Sequence, residues 1–130
     1  MASLFTRIIQ GEIPCHKVAE NDDFFAFLDI NPIARGHTLV VPRVEVDRFF
    51  DLDDDVLAGM LPFAKPISAA LDRVVDCDRV GLMVAGLDVP HAHLHLVPIS
   101  GTGELSFANA RPADQDELAA TAAAIREALA

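Results

Sequence analysis

His91-Ala92-His93-Leu94-His95-Leu96 decides how this 130-residue chain is read. In extended backbone, successive side chains project to opposite faces of a sheet. His91, His93 and His95 then share one face, while Ala92, Leu94 and Leu96 fill the other. Three imidazoles in strict alternation pack a half-buried strand poorly, and Val, Ile or Leu would serve better there. The run therefore calls for a chemical explanation.

Outward from this run, predicted over His91–Ile99 and ended by Gly101-Thr102-Gly103, the chain divides into short elements. Towards the N-terminus, Val80–Ala85 reads as a strand that Gly86-Leu87-Asp88 turns into the histidine strand. Before it, Asp51–Asp55 offers helix caps for an apolar stripe running from Val56 to about Val75. Pro62 and Pro66 fall inside that stripe, and an interior proline costs ~3 kcal/mol, so a kink or a late start is expected. Further upstream, Lys17–Glu20, Phe24–Ile30 and His37–Val41 read as strands, bounded by Asn21-Asp22-Asp23, Asn31-Pro32 and Pro42. Leu4, Phe5, Ile8 and Ile9 have helical spacing and stop at Gly11 and Pro14. Past the histidines, residues 104–113 read as irregular and Asp114–Leu129 as a helix with Leu118, Ala122, Ile125 and Leu129 on one side. The order helix, three strands, long helix, two strands, helix gives an α+β class with a five-stranded antiparallel sheet. Residues 1–130 are expected to form one domain, with its core at about 3–100 and a C-terminal loop and helix at 101–130. Such a sheet leaves an edge to cover, and a homodimer is one economical answer.

Composition narrows the function classes. Hydrophobic residues make up 52% of the chain, enough for a packed core. Ten Lys and Arg against twenty Asp and Glu leave a net charge of −10, which argues against a nucleic-acid surface. The acidic stretch from Glu45 to Asp55 reads as a solvated face. No apolar run approaches the ~20 residues of a membrane helix, and no signal peptide is apparent at the start. Two isolated cysteines, Cys15 and Cys77, fit a reducing interior, so a cytoplasmic location is expected.

Two chemistries suit alternating histidines. Residues i and i+2 on a strand can share a metal ion, but the outer pair spans ~13 Å, four residues at ~3.3 Å each. A mononuclear site would then use two of the three rings plus His37, Asp88 or Glu104, and no Cys-x-x-Cys or His-Glu-x-x-His spacing supports one. Acid–base and nucleophilic catalysis fits better, because imidazole titrates near neutral pH. One ring can attack while its neighbours stabilise charge at a phosphoryl group. The attacking nitrogen must be unprotonated; a backbone carbonyl on Nδ1 would leave Nε2 free.

With these residues in place, the sequence resembles the histidine triad (HIT) family, whose signature is His-φ-His-φ-His-φ-φ with φ apolar. His91-Ala-His93-Leu-His95-Leu-Val97 matches it throughout. Phe5-Thr-Arg-Ile-Ile-Gln-Gly-Glu-Ile-Pro14 is similar to the family's N-terminal helix and turn. Phe25-Ala-Phe27-Leu-Asp29-Ile30-Asn-Pro32 is similar to its nucleotide-binding strand, and Gly36-His37-Thr-Leu-Val-Val-Pro42-Arg43 to the segment after it. The likeness is to the Hint-like branch.

The resemblance implies a homodimeric α+β fold that takes a purine nucleotide, an AMP or GMP moiety, and acts at its α-phosphate. It implies His93 as the nucleophile forming a nucleotidyl-imidazole, His95 at the phosphate, and His91 as support, its carbonyl orienting His93. Asp29 would accept hydrogen bonds from the ribose hydroxyls. Leu4, Phe5, Ile8, Phe27 and Ile30 would wall the base, and His37 would stand behind the triad. Phosphoramidates and dinucleoside polyphosphates are the implied substrates. The alternatives are a nucleotide-binding or regulatory module with little catalysis, or a metal-dependent hydrolase.

The chain departs from the family in two places. Hint-type members carry an Asn before a glycine-rich loop and then Gly-Gln-Ser ahead of the triad, whereas this chain has no Asn in that stretch and reads Gly86-Leu87-Asp88. Leu87 cannot donate a hydrogen bond, and an ionised Asp88 aimed inward would repel a phosphate. Asn109, in the irregular stretch Ser106-Phe107-Ala108-Asn109, is a candidate to supply the missing amide. Ser3 and Thr6 stand near the cysteines that hold zinc in some members, and Glu45 stands where a histidine would follow Pro-Arg. No structural zinc and no cofactor are expected.

Overall fold

A computed structural model describes residues 1–130. It contains helix α1 (Leu4–Ile9), strands β1 (Lys17–Glu20), β2 (Phe24–Leu28) and β3 (Thr38–Pro42), helix α2 (Asp54–Val74), strands β4 (Arg79–Met83) and β5 (Leu94–Ile99), and helix α3 (Gln115–Leu129). The strands form one antiparallel sheet in the order β1-β2-β3-β5-β4. This is the expected α+β arrangement, and every predicted element is present.

Alternation divides the sheet into two faces. Phe24, Ala26, Leu28, Val40, Leu94 and Leu96 point to the side that α2 and α3 cover, against Met60, Ala64, Ile67, Leu71, Leu118, Ala122 and Ile125. Phe25, Phe27, Leu39 and Val41 point to the other side, where Phe5 and Ile8 of α1 meet them. His95 pairs with Leu39 across the β3–β5 ladder and so lies on the α1 side. The large core thus braces one face of the central strands, and the small one leaves room for a site on the other.

Three expectations are corrected. First, β5 begins at Leu94, so His91 and His93 precede the ladder. β3 ends at Pro42, which has no N–H to extend the pairing, and the amide of Ala92 bonds the Val46 carbonyl instead (2.7 Å). Second, α2 runs unbroken through Pro62 and Pro66. Ala58, Pro62 and Pro66 all lie on its exposed side, so the carbonyls that lose their amide partners reach water. Third, residues 104–113 are not wholly irregular: Thr102–Glu104 and Phe107–Asn109 form short 3-10 turns.

Candidate active site

The histidines converge on the α1 face as three buried rings whose roles follow from hydrogen-bond arithmetic. The Ile33 amide donates to His37 Nδ1 (3.0 Å), so that nitrogen holds a lone pair and the His37 proton sits on Nε2. His37 Nε2 lies 2.8 Å from His95 Nδ1 and donates to it. His95 must then carry its own proton on Nε2, facing away from His37. In parallel, His93 Nδ1 lies 2.7 Å from the His91 carbonyl, which can only accept. His93 therefore holds its proton on Nδ1 and presents a bare Nε2. With the two ring centroids 5.0 Å apart, a nucleophilic lone pair stands beside a hydrogen-bond donor.

Burial keeps these rings neutral. It is the largest influence lowering the pKa of His37, which Asp29 partly offsets. His93 is also lowered, chiefly by burial, against the opposing pull of its bond to the His91 carbonyl. Burial, then the neighbouring His37 and His93, push His95 down to about 3. All three are free bases at neutral pH, as an attacking imidazole must be.

The surrounding residues sort themselves by exposure. Phe5 packs edge-on to His93, with centroids 4.8 Å apart, and also contacts Phe27. Phe5, Ile8 and Phe27 are buried, whereas Leu4 and Ile30 are 45% and 54% exposed. Asp29 closes the turn after β2 by accepting from the Asn31 amide through Oδ1 (2.9 Å), and its Oδ2 lies 3.8 Å from His37 Nε2. Gly36 lets the turn before β3 lie close against α2: its φ is +88°, and a Cβ there would sit 2.9 Å from Leu71.

Gly86, with φ +75°, lies in the loop before the triad, where Leu87 is 92% exposed. Asp88 is exposed too and bonds no triad histidine, although its charge bears on His93. The Asn109 amide is engaged within its own turn, donating to the carbonyls of Gly103 (3.2 Å) and Glu104 (3.1 Å). It does not replace the missing amide. Its neighbour Phe107 reaches the site instead, its ring edge-on to His95 at 5.1 Å. An aromatic residue in a loop just past the triad was the available signal.

One group of side chains could be considered for a metal: Asp29, His37 and His95, with donor atoms within 4.8 Å of one another. Asp88 and Glu104 are not part of it. The 2.8 Å between the two ring nitrogens is shorter than the ~3.3 Å that two zinc-bound nitrogens keep at ~2.0–2.1 Å bond lengths. It is the spacing of a hydrogen bond, so the group is better explained as part of the tautomer chain.

The HIT-domain family model matches residues 10–101, which include the three rings and their carbonyl partner. The chain belongs to the HIT family. An uncharacterized HIT-like protein of Methanocaldococcus jannaschii is 38% identical over 122 residues, covering 88% of this chain and 94% of that one. The adenosine 5'-monophosphoramidase of Schizosaccharomyces pombe is 34% identical over 99 residues, 75% of this chain and 74% of that one. Among solved structures, a zinc-bound HIT-family protein of Mycobacterium smegmatis superposes with a TM-score of 0.84 at 30% identity, covering 99% of this chain and 94% of that one. HIT membership accounts for the histidine alternation that ordinary packing does not explain.

Proposed function

We propose that this HIT protein hydrolyses a purine nucleoside phosphoramidate, or transfers its nucleotidyl group, through His93. The observation that carries this is the tautomer pairing: bare Nε2 on His93 beside Nε2–H on His95. His93 Nε2 attacks the α-phosphorus; the bond from phosphorus to the leaving amine breaks, and the amine departs with the electron pair and a proton from water. The His95 Nε2–H bonds the phosphoryl oxygen as charge develops on it. Water then attacks the nucleotidyl-His93; the P–N bond breaks with its electron pair returning to Nε2, the nucleoside monophosphate leaves, and the proton lost by the attacking water replaces the one given to the amine. Asp29 Oδ2 is the acceptor offered to the ribose, and Phe5, Ile8, Phe27 and Ile30 wall the base. The likeness to a monophosphoramidase supports the phosphoramidate over the dinucleoside polyphosphate.

A slower, binding-dominated protein is the second reading, favoured by one observation: exposed Leu87 and Asp88 stand where polar donors would face the leaving group. Incubation with a labelled AMP phosphoramidate and trapping of protein-bound label separates the two. Label on the wild type that is lost in His93→Ala supports the enzyme. Binding of AMP with neither label nor turnover supports the module.

The site is read as one half of a homodimer. β4 is an unpaired sheet edge, Leu61 and Leu82 are exposed along the groove between α2 and β4, and Val84 is exposed just past the strand. No helix is long and apolar enough to cross a membrane.

A further inference from the structure

We infer that Glu45 is a positioning residue for His93, acting through the hydroxyls of Thr6 and Ser3 and the ring of His91. The inference rests on the reading of His93 as nucleophile and adds a part that the triad motif does not contain.

For a neutral His91 ring the hydrogen bonds fit one assignment of protons. His91 Nε2 lies 2.8 Å from the Pro42 carbonyl, an acceptor, so the proton is on Nε2 and Nδ1 holds a lone pair. The Ser3 hydroxyl lies 2.7 Å from that nitrogen and 3.2 Å from the Thr6 hydroxyl oxygen, and gives its one proton to the nearer atom, the ring nitrogen. Its oxygen in turn accepts from the Thr6 amide (3.0 Å), which also caps α1. The Thr6 hydroxyl would compete for the same nitrogen, 3.4 Å off, but Glu45 Oε1 takes its proton at 2.6 Å. The same carboxylate oxygen accepts the Ser3 amide at 2.7 Å. Glu45 therefore removes the competing donor and holds Ser3 in place. Two hydrogen bonds keep its carboxyl low, at about 2, so it stays an acceptor at neutral pH.

Why His91 needs this follows from where the ladder stops. Residues 91–93 lie outside β5, so sheet bonds do not set the direction of the His91 carbonyl. Yet that carbonyl fixes the His93 tautomer. With the His91 ring clamped at both nitrogens, and the Ala92 amide bonded to the carbonyl of Val46, next to Glu45, the peptide that aims His93 is held from residues 3–6 and 42–46. Both nitrogens of His91, the two hydroxyls and Glu45 Oε1 are already engaged in this hydrogen-bonded unit, and neutral hydroxyls make poor zinc ligands.

The test uses labelled AMP phosphoramidate in single turnovers, AMP affinity, and 15N NMR of the His93 ring, on the wild type, Glu45→Ala, Glu45→Gln, Ser3→Ala and Ser3→Thr. Glu45→Ala should slow labelling roughly tenfold, as small misplacements of a reacting group do, while AMP affinity stays within about twofold. Glu45→Gln, which keeps an acceptor, should fall between it and the wild type. Ser3→Thr should regain most of the rate lost in Ser3→Ala. The His93 Nδ1–H tautomer should lose population in Glu45→Ala. Because α1 also carries Leu4, Phe5 and Ile8 of the base wall, a purely structural role would weaken AMP binding in step with labelling; that result overturns the proposal. Unchanged labelling with an unchanged His93 tautomer overturns it as well. If the wild type takes no label yet the tautomer still shifts in Glu45→Ala, the positioning stands and only the reaction assigned to His93 falls.

Discussion

His37 Nε2 lies 2.8 Å from His95 Nδ1, and a single hydrogen occupies the gap. Because the Ile33 amide already uses the lone pair on His37 Nδ1, that hydrogen belongs to His37. The state of His95 is thus decided by a residue 58 positions earlier. Replacing His37 with Ala frees His95 to take the other tautomer and withdraw its Nε2–H from the place proposed for the phosphate. Single-turnover labelling should slow about 10- to 100-fold, by analogy with the loss of a partner that orients a metal-bound histidine. His37→Gln, which can donate from its amide, should recover part of the rate. A rate within twofold of wild type in His37→Ala would show that His95 needs no such partner.

The pH response follows from the same burial. His37, His93 and His95 all hold pKa values below the ordinary 6.5, with His95 at about 3. Between these limits the unfolded chain binds more protons than the folded one, so stability falls as pH falls from 6.5 towards 3. Glu45, lowered to about 2 from 4.5, acts in the same direction over its own window. Above pH 6.5 these groups add no further change. Urea midpoints measured from pH 8 to 4 should be flat and then drop. On the proposed mechanism His93 must be neutral to attack, so the acid limb of kcat/KM, which reports the free protein, should lie below 6.5. A limb at or above 6.5 would contradict the burial of its ring.

Gly36 connects the large core to the site. Alanine there would have to hold φ at +88° and place its Cβ 2.9 Å from Leu71 and 3.1 Å from Val75. The backbone conformation costs about 1–2 kcal/mol and the overpacking adds a similar amount, so Gly36→Ala should lose about 2–4 kcal/mol in chemical denaturation. A loss under about 0.5 kcal/mol would mean that α2 yields freely there. The movement would reach His37, the next residue, so nucleotide turnover should also fall.

The sheet was legible because alternation at Phe24–Leu28, Thr38–Val41 and Leu94–Leu96 matches two apolar faces. Where pattern and partner disagree, pattern misleads. The alternation His91-Ala92-His93 reads as strand, but β3 ends at Pro42, 49 residues before His91 in sequence and opposite Ala92 in register, where it has no N–H to give. The triad itself was visible as three polar rings in an apolar strand. The chains that set their tautomers were less visible, because they join Ile33 to His95 and Glu45 to His91, residues with no common local pattern. Asn109 drew attention for its amide, while the contact to His95 comes from Phe107, whose ring carries no polar signal.

The dimer reading is tested at the open edge. Leu82 sits in β4, 46% exposed, and faces the α2 groove with Val80 and Leu61. A carboxylate at that position would be desolvated if a second sheet edge paired with β4. Leu82→Asp should sediment as a monomer, where the wild type sediments at twice the chain mass. Wild-type protein that remains monomeric at high micromolar concentration would remove the dimer from the account.

Asp88 should choose among leaving groups. It is exposed in the loop before His93, the proposed nucleophile, its charge bears on that ring, and no triad histidine neutralises it by hydrogen bonding. A polyphosphate leaving group would bring several negative charges towards it, whereas an amine departs neutral or as a cation. The carboxylate is solvated and screened, so the discrimination is modest: about 0.2–1 kcal/mol, or up to roughly fivefold in kcat/KM. Asp88→Ser removes the charge and restores a hydroxyl. It should raise activity on a dinucleoside polyphosphate by about two- to fivefold relative to a cationic amine phosphoramidate. The gain should shrink as salt is raised from 0.01 to about 0.5 M, because the screening length contracts to a few ångströms. An equal change for both substrates, or a ratio indifferent to salt, would show that Asp88 acts through the shape of the 84–90 loop and not through its charge.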